Sequence, residues 1–218
     1  MSRIAIIGGH GKVALHLTRV LTNTGHSVSA FIRNPQHSDD VSRAGATPVL
    51  LDIEHASVAE LATAFAGHDA VVWSAGAGGG DPARTWAVDR DAAIRSMDAA
   101  LEAGVGRYVM VSYFGASLDH GIPADDPFFA YAEAKAAADE YLRRTALSWT
   151  ILGPGTLTLE PATGLIDVSD DAAGGSIGRQ DVAQVAAAVL QRPATAGMFI
   201  QFNTGATPID EALNQLTS

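Results

Sequence analysis

Tyr131 and Lys135 stand four residues apart in Tyr-Ala-Glu-Ala-Lys, a spacing that places both on one face of a helix, about 6 Å apart along its axis. A phenol with a pKa of about 10 is a poor base at neutral pH. An adjacent ammonium favours the phenolate and makes such a pair a usable proton shuttle. Near the N-terminus, Gly8-Gly9-His10-Gly11-Lys12-Val13-Ala14 follows a short apolar run. Glycines at 8 and 11 permit a tight turn and close approach of a pyrophosphate to the helix N-terminus that follows, and Ala14 permits close helix–strand packing. A second apolar run ends in Arg33-Asn34-Pro35, with Arg33 22 positions after Gly11. At that place an acidic residue would hold the ribose 2′-hydroxyl of NAD, whereas an Arg pairs with the 2′-phosphate of NADP. No Asp or Glu stands at that strand end, so NADP (NADPH) is expected over NAD. Asp52-Ile53 after a third run could meet the adenine edge, and Ala75-Gly76-Ala77 after a fourth could let a cofactor lie against the backbone. Each also reads as ordinary loop punctuation.

These residues need a scaffold. Strands are expected at 4–8, 27–33, 47–52, 70–74, 108–112, 149–152 and 198–202. Helices are expected at 13–22, 36–44, 58–65, 82–103, 127–145, 181–190 and 209–216. Alternating β and α units impose right-handed crossovers and a parallel sheet. The strand runs are apolar throughout (Ile4-Ala5-Ile6-Ile7, Tyr108-Val109-Met110-Val111), as sheets covered on both faces require. The expected fold is α/β: one domain over 1–218 with a doubly wound parallel sheet of about seven strands, a Rossmann fold. Ligands of such sheets bind beyond the carboxyl ends of the strands, where the glycine turn, Arg33, Asp52, Ala75 and Ser112 all fall. Segments 113–129 and 154–178 are expected to wall a small substrate region, the second being Gly- and Asp-rich and so expected to be mobile.

Composition narrows the partners. The 218 residues carry 14 Lys plus Arg against 24 Asp plus Glu, a formal net charge of −10. Such a surface repels phosphate backbones and anionic lipid, so neither nucleic acid nor membrane is an expected partner. There is no Cys, which removes disulfides, thiolate metal sites and a thiol nucleophile. No His/Asp/Glu cluster has ligand spacing, so no metal is expected. The chain shows no signal peptide and no run of membrane-spanning length. A cytoplasmic protein, monomer or homodimer, acting on a small molecule is the expectation.

Taken together, these motifs resemble the short-chain dehydrogenase/reductase superfamily, in particular its small atypical NAD(P)H-binding or NAD-dependent epimerase/dehydratase-like members. The resemblance spans the chain, from the glycine turn through Tyr131-x-x-x-Lys135 and Pro154-Gly155 to Arg179-Gln180-Asp181-Val182-Ala183. It implies that Tyr131 is the acid/base at a carbonyl or carbinol. Lys135 would bind the nicotinamide ribose and lower the Tyr131 pKa, and Ser112 would hydrogen-bond the substrate oxygen. The amides of residues 8–13 would hold the pyrophosphate, and Pro154-Gly155 would lie near the nicotinamide. The implied activity is NADP(H)-dependent hydride transfer with a small carbonyl or alcohol. Flavin reduction and NADP(H) sensing of the NmrA-like kind are the alternatives. Two departures stand out: Ser112 is followed by Tyr113-Phe114 rather than ending a Ser-rich run, and Gly153 stands where relatives commonly carry Arg.

Overall fold

The computed structural model describes residues 1–78, 81–169 and 174–217. The first half runs β1 (Arg3–Ile7), α1 (Lys12–Asn23), β2 (Ser27–Ile32), α2 (Ser38–Arg43), β3 (Thr47–Leu50), α3 (Val58–Phe65) and β4 (Ala70–Trp73). It continues with α4 (Pro82–Thr85), a π-helical segment Trp86–Ala92, α5 (Ala93–Glu102), β5 (Arg107–Val111), α6 (Phe129–Arg143) and β6 (Ser148–Pro154). The last part holds β7 (Thr156–Thr158), β8 (Leu165–Val168), β9 (Ser176–Gly178), α7 (Arg179–Leu190), β10 (Met198–Thr204), β11 (Thr207–Pro208) and α8 (Ile209–Gln215).

Seven strands pair in parallel in the order β3-β2-β1-β4-β5-β6-β10, and β8 and β11 extend the sheet antiparallel beyond β10. The order reverses at β1, the crevice where a doubly wound sheet takes its ligand. Both faces are buried, which is why β1 is apolar at every other position and at the positions between. Ile4 and Ile6 pack with Leu17 and Leu21 of α1 and Val185 of α7. Ala5 and Ile7 pack with Leu61 and Phe65 of α3, Met97 of α5 and Leu142 of α6. Each such Leu, Ile or Phe contributes about 1.5–3 kcal/mol by leaving water. Local chemistry sets the helix starts. Ser57 and Glu60 form a reciprocal capping box on α3, and Asp81 Oδ1 accepts the Ala83 N–H at 2.9 Å ahead of Pro82.

Two expectations about elements need correction. The helix over 82–103 is not uniformly α: it widens into the π-helical turn of Trp86–Ala92, a feature that concentrates at functional sites. Segment 154–178 is less irregular than its glycines suggest, since it contributes β7, β8 and β9. Ile166 and Ile177 there are fully buried, and side chains from the start of α7 tie the segment down. Arg179 donates to the carbonyls of Leu157 and Thr158 at 3.1 and 2.8 Å. The Asp181 carboxylate accepts the N–H groups of Thr163 and Gly164 at 3.1 and 2.8 Å. Residues 170–173 of the expected substrate wall lie outside the described residues.

Candidate functional site

At the reversal point a cavity of about 360 Å³ opens over the carboxyl ends of β1 to β4. Gly8, His10, Gly11, Arg33, Asp52 and Ile53 line it, together with Ala75, Gly76 and Ala77 of the loop after β4. The backbone there suits a dinucleotide. Gly8 has φ +78°, and a Cβ on it would sit 2.6 Å from the Ala75 Cα, so only glycine lets the two loops touch. Gly11 caps α1 with no side-chain hydrogen bond and no acidic residue in the first turn, leaving N–H groups and the dipole's positive end for a phosphate. The remaining residues expected here serve the turn from outside the cavity. Gly9 packs on Ala30, where a Cβ would come within 2.6 Å. Val13 is buried in the core, and Lys12 is exposed. Asn34 Oδ1 accepts the Gln36 N–H at 3.0 Å, shaping the turn that carries His37.

The adenosine end holds groups that the sequence reading did not include. Glu54, from the loop between β3 and α3, lies 3.5 Å from Arg33 and 3.3 Å from Arg84. The expectation of an acid-free strand end is therefore corrected: the fold brings a carboxylate to Arg33 from 21 residues further along the chain. His37 stacks on His10 at 3.6 Å between ring centroids, and His10 Nε2 lies 2.9 Å from Asp40 Oδ2.

Beyond β5 the expected catalytic residues gather, with altered roles. Lys135 is 1% exposed. Its ammonium donates to the Val111 carbonyl at 2.8 Å and to Met110 Sδ at 3.2 Å. Asp139, one turn later on the same face of α6, is fully buried and accepts the Ser112 hydroxyl at 2.5 Å. Asp89, from the π-helical turn, is also buried and accepts the Ala77 N–H at 2.9 Å. One carboxylate oxygen of each Asp is buried without a partner among the described residues. Burial pushes both carboxyls up and the Lys135 ammonium down, while attraction across the cluster opposes each shift.

Two expected roles change. Ser112 spends its hydroxyl on Asp139 rather than presenting it to a substrate. The Tyr131 phenol is raised above its ordinary value, not lowered, by burial first and then by Asp89, Asp139 and Tyr113. The physical reason is that burial strips the phenolate of solvation, and the Asp89 and Asp139 carboxylates repel it.

On the substrate side, Tyr113, Phe128 and Tyr131 form an aromatic triangle with centroids 5.2–5.7 Å apart. His120 fastens this loop to α6: its Nδ1 accepts the Ile122 N–H at 3.0 Å, and its Nε2 lies 3.1 Å from Glu133. Pro154 ends β6, and Gly155 after it is packed so tightly that a Cβ would overlap Asn203 Oδ1 at 1.9 Å. Gly153 has a similar reason to lack a side chain, since Phe199 fills the space at 2.6 Å. Among the described residues no three His, Asp or Glu side chains group as metal ligands, and no helix is long and apolar enough to cross a membrane.

Comparison with known proteins agrees with this geometry. A family model described as NAD(P)H-binding matches residues 8–193. An uncharacterized sugar epimerase of Bacillus subtilis, YhfK, is 35% identical over 217 residues, covering 98% of this chain and 100% of that protein. A solved structure described as an NAD-dependent epimerase/dehydratase from Bacillus halodurans is 33% identical. It superposes with a TM-score of 0.91 over 99% of this chain and 100% of that one. The oxidoreductase YlbE from Lactococcus lactis is 32% identical with a TM-score of 0.88, covering 98% and 96% of the two chains.

Proposed function

The chain belongs to the NAD(P)H-binding family, and we propose that it is an NADP(H)-dependent oxidoreductase acting on a small carbonyl or alcohol. The observation that carries this reading is the cavity at the reversal of strand order, lined by the glycine turn, Arg33 and the Ala75–Ala77 loop. Hydride is the chemistry the nicotinamide supplies when bound; the chain's residues bind, orient and move a proton. Amides at the start of α1 hold the pyrophosphate, and Arg33 takes the 2′-phosphate. Lys135 anchors the end of β5 through the Val111 carbonyl, and Tyr131 faces the reacting oxygen. A nucleotide-sugar substrate fits less well, because the stretch from Tyr108 to Ala134 beside the aromatic triangle has acids and no Lys or Arg to meet a diphosphate.

Titration calorimetry with NADP, NADPH, NAD and NADH tests the reading. The phosphorylated cofactors are expected to bind tighter. Arg33→Ala should remove about 1.5–3 kcal/mol of that preference, or about tenfold to a hundredfold. No heat with any of the four would overturn it. A second reading is favoured by the Ser112 hydroxyl being held by Asp139: an acceptor such as a flavin that asks no side chain for a proton. Tyr131→Phe separates the two, abolishing carbonyl reduction and sparing flavin reduction.

A further inference from the structure

The adenosine end of the cavity holds two imidazoles that the oxidoreductase reading leaves without a task. His10, from the glycine turn, and His37, from the turn that Asn34 shapes, both line the cavity with Arg33. The rings lie nearly parallel, 13° apart and with 3.6 Å between centroids. Their partners fix which nitrogens carry hydrogen. A carboxylate only accepts, so His10 Nε2, 2.9 Å from Asp40 Oδ2, carries the hydrogen of that ring. Asn34 uses its Oδ1 for the Gln36 N–H and offers His37 Nε2 an amide hydrogen at 3.4 Å. His37 Nε2 therefore accepts, and that ring's own hydrogen stands on Nδ1. Neither Nδ1 has a hydrogen-bond partner among the described residues. The stacked pair thus offers one donor, His37 Nδ1–H, and one unused lone pair, on His10 Nδ1.

Charge around the rings gives that lone pair a use. Among the residues lining the cavity the fixed charges cancel, Arg33 and Arg84 against Asp52 and Glu54. Glu54 already lies 3.5 Å from Arg33 and 3.3 Å from Arg84. Asp40 faces His10 from α2 and is itself paired with Arg43, while Lys12 is exposed at the start of α1. A 2′-phosphate brings about −1.5 to −2 charges at pH 7 to lining residues that hold no uncompensated positive charge. An imidazole is the side chain whose ordinary titration falls between pH 5 and 8, and an anion brought against it favours its charged form.

We infer that His10 and His37 complete the 2′-phosphate subsite with Arg33, and that NADP binds with uptake of one proton on His10. The inference rests on the NADP(H) reading and deepens it, making the choice between the two cofactors depend on pH. Binding carries a proton from the buffer to His10 Nδ1, the Nε2–H of that ring being held by Asp40. The phosphate then meets an imidazolium N–H and the neutral His37 Nδ1–H. Two imidazolium rings stacked at this separation would repel each other, so one proton is taken and His37 stays neutral. NAD, with a hydroxyl at the same position, brings no charge to drive the uptake. Preference for NADP therefore widens as pH falls from 8.5 to 7.

Titration calorimetry at pH 7.5 in HEPES and in Tris, whose ionisation heats differ, counts the protons exchanged on binding. The wild type should take up about half to one proton per NADP and about none per NAD. NADP should bind about threefold to tenfold tighter at pH 7 than at pH 8.5, a range in which its 2′-phosphate stays largely dianionic. His10→Asn keeps a hydrogen for Asp40 but cannot take a proton. It should lose both the uptake and the pH dependence, binding NADP at pH 7 about as weakly as the wild type does at pH 8.5. His37→Gln should weaken NADP binding about threefold to tenfold while the proton uptake remains. Urea unfolding reports whether each variant is folded. NADP binding without proton uptake, equal uptake with NAD, uptake that survives His10→Asn, or an NADP affinity unmoved by His37→Gln overturns the inference and leaves the NADP(H) reading standing. No binding of NADP overturns both.

Discussion

Around the dinucleotide cleft the charged groups stand partly in water and in pairs, Arg33 and Arg84 on Glu54 and His10 on Asp40. At the end of β5, by contrast, Lys135, Asp89 and Asp139 are shut away from solvent with two carboxylate oxygens unanswered. The energetic scales differ accordingly. With 54% of the Arg33 side chain exposed, its pairing with Glu54 is worth at most about 1 kcal/mol and can be exchanged for a ligand's phosphate. A buried cluster has paid a desolvation cost of several kcal/mol per ion and does not rearrange cheaply. The cleft is thus arranged to trade partners, and the buried cluster to hold its charges in place.

The sharpest way to break this comparison is to remove the buried cation. Lys135→Met leaves two carboxyls buried without their counter-charge, and a loss of about 3–5 kcal/mol is expected in urea unfolding at pH 8. The loss should depend on pH with a definite sign. Burial holds Asp89 and Asp139 above the ordinary carboxylate value while Lys135 pulls them back. Groups raised in the folded state contribute stability that is complete below their unfolded pKa of about 3.9 and is lost as pH rises through the folded value. Without Lys135 the folded values climb further, so the variant's deficit should shrink between pH 8 and about pH 5.5. An equal deficit at both pH values would mean that the two carboxyls do not sense Lys135.

A smaller effect is expected at the cofactor end, where backbone rather than charge is decisive. Gly8→Ala forces a side chain into left-handed backbone and against the Ala75 backbone, costing about 2–4 kcal/mol. Gly104→Ala supplies the control, because its φ is +71° but a Cβ there meets nothing within 4 Å. It should cost only about 1–2 kcal/mol. Nucleotide binding should be lost in the first variant and kept in the second. Equal costs would show that the contact with Ala75 is easily relieved.

The same contrast explains what could be read from the chain before its structure. The glycine turn, Arg33 and the seven parallel strands are local signals, each written in fewer than ten consecutive residues, and they gave the fold class and the cofactor class. Asp139 was within reach, since 131, 135 and 139 share one helical face, but its carboxylate has no meaning until Ser112 is folded against it. Glu54 and Asp89 depend on loops meeting from opposite sides of the crevice. The π turn that buries Asp89 has no sequence mark beyond an ordinary amphipathic run. The strands β7, β8 and β9 escaped because they are only three or four residues long, with one apolar residue in each of β7 and β9, and β8 and β9 gain their place by packing on β10, which comes later in the chain.

Glu54 offers the finest test of the exchangeable end. Its carboxylate lies between Arg33 and Arg84, where the 2′-phosphate of NADP would add a second anion. Glu54→Gln keeps the shape and an oxygen for Arg84 while removing the negative charge that Arg33 must otherwise leave. NADP should bind about threefold to tenfold tighter, roughly 1 kcal/mol. NAD, which has a 2′-hydroxyl to donate and no charge to seat, should bind no better or somewhat worse. Since Arg33 is half in water, the gain should fade as added salt screens the repulsion. Calorimetry at low and high salt measures both terms. An NADP affinity indifferent to Glu54→Gln at low salt would mean that Arg33 and Glu54 do not share the phosphate subsite, and the specificity would have to come from His37 and the turn that holds it.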